Sequence, residues 1–250
     1  MTTAGWSVVR RPRVEVLSAE MPIAACVVLM RASALFTGLS EEQCWEIASY
    51  ARARNFARDE FLFMQGQPVH SLMLIQAGSV KLTQLGSNGN EVILWMNGEG
   101  DAVGERADGT PCTHSCSARA MEQCRALTWE YTRLQNLLME YPQIRKNISQ
   151  ILFGRLRELE QRFREVATEK VATRLALTLL RLLKKVGKHH QGGVRVSLSR
   201  EELAQMTGTT LFTISRILSK WGEEGFVLPC REAVLVRDPQ RLSQVGDEED

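Results

Sequence analysis

The stretch SREELAQMTGTTLFTISRILSKW, residues 199–221, constrains what this chain can fold into more than any other segment. Ser199 followed three residues later by Glu202 is a capping box. The hydroxyl accepts from the third helical amide while the glutamate reaches back to the serine amide. A short helix therefore starts after Ser199. Gly208 ends it, because glycine takes the positive φ of a sharp turn without steric cost. Thr209 and Thr210 open a second helix, in which Ile214, Ile217, Leu218 and Trp221 fall on one face and Phe212, Thr213, Arg216 and Ser219 largely on the other. Two short helices joined by a tight glycine turn make a helix-turn-helix pattern; the bland alternative is an ordinary helical hairpin. Residues 194–198 alternate as an edge strand would, and FVLP and AVLVRD flank Cys230, Arg231 and Glu232 as a small β-hairpin, a wing.

A helix anchored on one side projects the other into a major groove. Arg216 is suited to read a guanine edge through two parallel hydrogen bonds. Thr209, Thr210 and Thr213 near the helix start, with Arg200 and Lys220, suit phosphates. The whole chain has 31 basic and 29 acidic side chains, a formal charge of +2, so any nucleic-acid face must be local. Residues 168–246 hold 13 Lys and Arg against 7 Asp and Glu, an excess that the acidic residues 247–250 mask in the total.

Upstream the character differs. Residues 1–33 are a poorly patterned extension, left unassigned, where Pro12 and Pro22 interrupt any long helix. Ser40 caps the next helix, with Glu41 and Glu42 in its first turn. From 55 to 128 there is no sustained helical period. Short β-leaning runs (FLFMQGQ, SLMLIQAGSVKLTQL, EVILWM) alternate with turns, and Asn88-Gly89 marks a hairpin. A compact antiparallel β-domain of roll or barrel type is expected. After Tyr141-Pro142, Ile144, Ile148 and Ile151 lead into Leu152, Leu156, Leu159, Phe163 and Val166 at 4-3-4-3 spacing, the stripe of one long helix. That stripe packs either on its own β-domain or on a second copy. A second helix follows over about 171–185.

No apolar run approaches the roughly 18 residues of a spanning helix. Residues 21–30 have the length of a signal peptide, but Glu15 and Glu20 precede them and no cleavage box follows. Six irregularly spread cysteines suit a reducing compartment, so a cytoplasmic protein away from membranes is expected. There is no P-loop, no metalloprotease box and no Ser-His-Asp or Cys-His arrangement that spacing supports, so no enzymatic activity is expected.

The order of roll, long helix and winged helix-turn-helix, with GEGDAVGE at 98–105 and TISRIL at 213–218, resembles the CRP/FNR family of bacterial transcription regulators over about residues 34–240. The resemblance implies an α+β fold: a jelly-roll-like antiparallel β-roll, cyclic-nucleotide-binding-like, as effector domain (34–140). A long dimerisation helix (141–167), a winged helix-turn-helix (168–243) and an acidic tail (244–250) follow. It implies a homodimer seamed by Ile148, Leu152, Leu156, Leu159, Phe163 and Val166, bound to a two-fold symmetric operator in double-stranded DNA and acting on RNA polymerase. Arg216 matches the family's base-reading arginine. Leu211 and Phe212 stand where the cyclic-AMP regulator and its relatives often carry Arg and Glu, which exchanges polar contacts for an apolar one to a thymine methyl.

By the same resemblance, Gly104 and Glu105 match the pair that holds the ribose of cyclic AMP. His114 replaces the phosphate-binding arginine, Ser115 matches its serine, and Leu159 and Glu160 occupy the adenine-contacting positions. A neutral imidazole supplies neither the permanent charge nor the fork a phosphate wants, so the effector is unidentified and is not expected to be cyclic AMP. Other readings stay open. Cys112, His114 and Cys116 share one face if extended, and with Cys124 they form a soft set for zinc, an iron–sulfur cluster or haem. The spacing matches no compact ligand motif, and cysteine is also a common core residue. The roll would otherwise serve as a ligand-binding regulatory module whose C-terminal helices contact a protein, or the chain would have no small effector.

Overall fold

Residues 22–87, 89–104 and 113–245 are described by a computed structural model. Helix α1 (Ile23–Ala32), a 3-10 turn (Ala34–Phe36) and α2 (Glu41–Ser49) precede β1 (Arg52–Phe56), β2 (Phe61–Phe63), β3 (Ser71–Ala77) and β4 (Val80–Leu85). Then come β5 (Glu91–Asn97), β6 (Ala102–Val103), β7 (Ser117–Ala120) and β8 (Cys124–Glu130). They form two antiparallel sheets, β1-β8-β3-β6 and β2-β7-β4-β5. The hairpin signal is met: β4 and β5 pair antiparallel out to Leu85 opposite Glu91.

The central strands are apolar on both sides because both sides are covered. In β3, Met73 and Ile75 face the roll interior with Phe56, Phe63 and Leu82. Leu72 and Leu74 alternate to the other side, where they pack with Phe36, Ile47 and Trp129. The indole of Trp129 donates to the carbonyl of Ile47 at 2.9 Å, which ties α2 to the sheet. Ser40 and Gln43 form the capping box that starts α2. Helix α1 lies in the segment left unassigned on sequence, yet Cys26, Val27, Leu29 and Met30 are buried in this same core. Its period is short and its polar face sparse, so the pattern did not mark it.

The second half runs α3 (Tyr131–Glu140), α4 (Pro142–Thr168), α5 (Val171–Val186), β9 (Lys188–His190), β10 (Gly193–Val196), α6 (Arg200–Thr207) and α7 (Leu211–Glu223). It closes with β11 (Val227–Pro229), β12 (Val234–Val236) and α8 (Pro239–Ser243). Residues 188–190 extend the wing sheet, β11-β12-β10-β9, as its edge.

Helix α4 has two faces. Ile144 and Ile148 are fully buried against the roll. Between them Asn147 donates to the carbonyls of Leu35 (2.9 Å) and Thr37 (2.8 Å). This corrects the seam: Ile148 lies in its own chain's core, because 144, 148 and 151 form one ridge turned to the roll. The stripe left open begins at Leu152 (37% exposed) and continues through Leu156 (49%), Leu159 (40%), Phe163 (76%) and Val166 (50%). The winged half also packs on the roll, since Ile93 and Met96 of β5 share a core with Leu175, Leu179 and Leu203.

Candidate nucleic-acid interface and effector pocket

The helix-turn-helix is assembled by the devices its sequence announced. Ser199 Oγ accepts from the Glu202 amide at 3.2 Å, and Glu202 Oε2 accepts from the Ser199 amide at 2.9 Å. Gly208 sits at φ 63°, ψ 45°, closing α6 in the left-handed region. Thr210 caps α7 by accepting from the Thr213 amide at 3.2 Å. Ile214 and Leu218 are fully buried and Trp221 nearly so, with Ile217 packed at the margin. Each large apolar side chain so buried stabilises by about 1.5–3 kcal/mol, enough to hold α7 rigidly on its domain.

The opposite face is open. Arg216 and Ser219 are exposed, Phe212 is 83% exposed and Leu211 41%. Thr210 is exposed, Thr209 and Thr213 half-buried, all near the start of α7. Lys220 is exposed, 4.0 Å from Glu224, a separation that leaves it available to a phosphate. Arg200 is half-buried in the first turn of α6. One rigid helix thus presents a cation, two apolar side chains and a hydroxyl cluster to solvent.

The roll holds a different arrangement. Gly104 (φ +80°) lies close to His114, its Cβ position 3.8 Å from the imidazole Cε1 and 2.6 Å from the Ser71 carbonyl, so only glycine fits. The carbonyl of Gly104 accepts from Tyr131 Oη at 3.0 Å. The His114 ring stacks on Phe63 with centroids 3.7 Å apart and planes at 8°. Burial, with a smaller contribution from His70, holds its pKa down at about 4. The imidazole is therefore neutral near pH 7.

Of the expected pocket residues, the structure brings Gly104 and His114 together. Ser115 is exposed, its carbonyl accepting from Gln84 Nε2 at 3.2 Å. In the single chain Leu159 and Glu160 lie on the exposed side of α4, because the ridge facing the roll runs through Ile151, Arg155, Glu158 and Arg162 and each step along a helix turns by about 100°. Glu105 and Cys112 lie outside the described residues. Among the described residues no three His, Cys, Asp or Glu side chains converge on a point. Cys124 belongs to the roll core, where burial pushes its thiol up to about 11. Cys116 packs against that core too.

Two groups escaped the sequence. Lys81 of β4 pairs with Glu202 at 2.7 Å, both largely buried, so the capping glutamate of α6 also ties the winged half to the roll. Burial would raise the Glu202 carboxyl, but hydrogen bonds from Lys81 and Ser199 prevail and hold it below its usual range. Arg162 of α4 donates to the carbonyls of Leu94 and Ile93 in β5 and of Met206 in α6. A lysine inside the apolar run SVKLTQL is a signal for the first; its partner, 121 residues away, leaves none.

Residues 53–141 match the cyclic nucleotide-binding domain family and residues 173–245 the Crp-like helix-turn-helix domain. The cyclic AMP receptor protein of Thermus thermophilus is 30% identical over 218 residues, 87% of this chain and 98% of that protein. The CRP-like cAMP-activated global transcriptional regulator of Mycobacterium tuberculosis is 26% identical over 219 residues, 87% of this chain and 97% of that protein. Among solved structures, the c-di-GMP responsive global regulator CLP of Xanthomonas campestris has a TM-score of 0.68 at 24% identity, covering 80% of this chain and 100% of that one. FixK2 of Bradyrhizobium japonicum has a TM-score of 0.68 at 22% identity, covering 78% and 96%. These two likenesses are of fold. No helix among the described residues is long and apolar enough to cross a membrane.

Proposed function

The chain belongs to the CRP/FNR family of transcription regulators, and from that premise we propose that it works as a homodimer on a two-fold symmetric operator, under an effector other than cyclic AMP. The observation that carries this is the build of α7: buried on Ile214 and Leu218, open on Arg216 and Phe212. Arg216 reads a guanine, Leu211 and Phe212 press on thymine methyls, and Thr209, Thr210, Thr213, Arg200 and Lys220 meet phosphates. The second copy pairs along Leu152, Leu156, Leu159, Phe163 and Val166, an apolar row that a lone chain leaves in water. Work on promoter DNA in the cytoplasm, with RNA polymerase as partner, follows from the family.

Against cyclic AMP stands His114. A neutral imidazole packed flat on Phe63 gives a cyclic phosphate no counter-charge. Titration calorimetry is expected to show no saturable cyclic AMP binding at micromolar concentrations, and such binding would overturn this part.

For DNA, duplexes selected from a random pool are expected to share a two-fold symmetric site. Replacing Arg216 by Ala should cost about 1–3 kcal/mol, roughly 5- to 150-fold in affinity, and relax the preference at one base pair per half-site. Equal affinity of wild type and variant for the selected and a scrambled duplex, by fluorescence anisotropy at fixed salt, would refute the reading.

A further inference from the structure

Helix α6 is held at both ends by side chains from outside the winged half. At its first turn Lys81 of β4 donates to Glu202 Oε1 at 2.7 Å, the lysine side chain 8% and the glutamate side chain 16% exposed. At its last turn the carbonyl of Met206 accepts from Arg162 of α4 at 3.4 Å. The same guanidinium donates to the carbonyls of Leu94 and Ile93 in β5. One tie therefore runs to the roll, the other to the roll and the long helix together. The next carbonyl of α6, that of Thr207, accepts instead from Arg174 of α5, which belongs to the winged half and cannot fix it from outside.

Direction rather than strength is what the two ties add. The apolar boundary between the halves, Ile93 and Met96 against Leu175, Leu179 and Leu203, resists separation but has no direction of its own. Arg58–Glu232, Lys185–Asp101 and Lys188–Glu122 cross it too, yet their cations are exposed, and such pairs contribute little. The buried Lys81–Glu202 pair gains little net stability either, because desolvation offsets the attraction, but it is satisfied in one geometry only. A guanidinium fork on three carbonyls is likewise rigid. Glu202 divides its oxygens, Oε1 taking Lys81 and Oε2 the Ser199 amide, so the tie acts on a residue that starts α6. Helix α7 shares one core with α6, Ile214 and Leu218 alongside Leu203 and Ala204, so where α6 is pinned α7 is aimed.

We infer that Lys81 and Arg162 are positioning residues for DNA recognition: by pinning α6 at both ends they set the separation and angle at which a dimer paired along α4 holds its two copies of α7. They determine the spacing between half-sites, not the bases read within each. Each base pair of spacing moves a half-site by about 3.4 Å and turns it by about 34°, so a firmly aimed pair of helices tolerates one spacing. This rests on the dimer and operator reading above.

The test is fluorescence anisotropy at fixed salt on the selected duplex and on duplexes whose half-sites are moved together or apart by single base pairs. The full-length wild type should prefer one spacing over its neighbours by about tenfold or more. The double variant Lys81→Met with Glu202→Gln removes both charges and keeps a side chain able to form the capping box. In it the preference should shrink to about threefold or less. Arg162→Met should do the same, and if it fails to fold the double variant decides. Lost stability alone would weaken every spacing alike, so an unchanged preference in the variants, or a wild type that binds all spacings equally, overturns the inference. Amide hydrogen exchange without DNA separates the two readings. Protection of α6 should fall by about tenfold or more in the double variant, and equal protection overturns the clamp. Failure of the wild type to bind any duplex refutes the DNA reading, and the exchange result then decides the clamp by itself.

Discussion

On α7, Arg216 and Phe212 stand away from a helix whose buried face is complete without them, whereas in the roll His114 turns inward, stacked on Phe63 beside Gly104. The contrast separates two kinds of functional position. The exposed side chains of α7, Phe212 and Arg216 among them, contribute almost nothing to folding, so changing them alters recognition alone. A side chain such as His114 is part of the packing, and its chemistry is set by what encloses it. Evolution of a new operator is therefore structurally easy in this chain, while a new effector requires a rebuilt interior.

The strongest way to break the contrast is to make the winged half work alone. Leu156→Asp with Phe163→Asp places carboxylates on the open stripe of α4, far from α7. Sedimentation should show monomers, and operator affinity should fall by more than about 100-fold, since two linked half-site contacts gain 10²–10⁴ over one. A variant that stays dimeric, or binds DNA unchanged as a monomer, would mean that the stripe has no part in recognition.

Next in size is an acid test of the roll. The folded-state pKa of His114 is about 4 against an ordinary 6.5, so the unfolded chain holds more protons between those values and stability rises with pH there. The contribution is complete above 6.5 and is lost as the pH falls towards 4, up to about 3 kcal/mol. Urea unfolding at pH 7 and 4.5 should show this slope in the wild type and a flatter one in His114→Asn. An unchanged slope would mean that the imidazole is not enclosed.

The smallest effect sharpens the other side. Phe212→Ala should leave urea stability within about 0.5 kcal/mol of wild type. Affinity for the selected duplex should fall by about 1 kcal/mol, roughly fivefold, and preference for thymine at one position should relax. A loss of stability beyond that range would place Phe212 in the fold rather than at the DNA.

Local signals account for what was legible. The Ser199–Glu202 box, the Gly208 turn, the Thr210 cap and the wing strands each involve residues a few positions apart, and all are found where the pattern put them. Periodicity placed α4 as one helix but merged its two faces, because ridges one residue apart in phase, Ile144–Ile148–Ile151 and Leu152–Leu156–Leu159, look alike in a 4-3 repeat. Helix α1 went unseen since its burial depends on a core shared with Phe36, Ile47, Leu72 and Trp129, which the local pattern does not join to it. The neutral state of His114 was argued from residue type alone; Phe63 and the enclosure that enforce it come from another strand.

By itself the amino-acid order determined the element types, the turn and cap chemistry, and which side chains of the last helix pair face outward, since these follow from hydrogen bonds and steric limits within a few residues. Only the tertiary structure decided that Ile148 lies inside the chain, that Lys81 reaches Glu202, and that Arg162 reaches the carbonyls of β5. Those depend on which distant surfaces meet, and burial and the energy of charge are properties of the meeting.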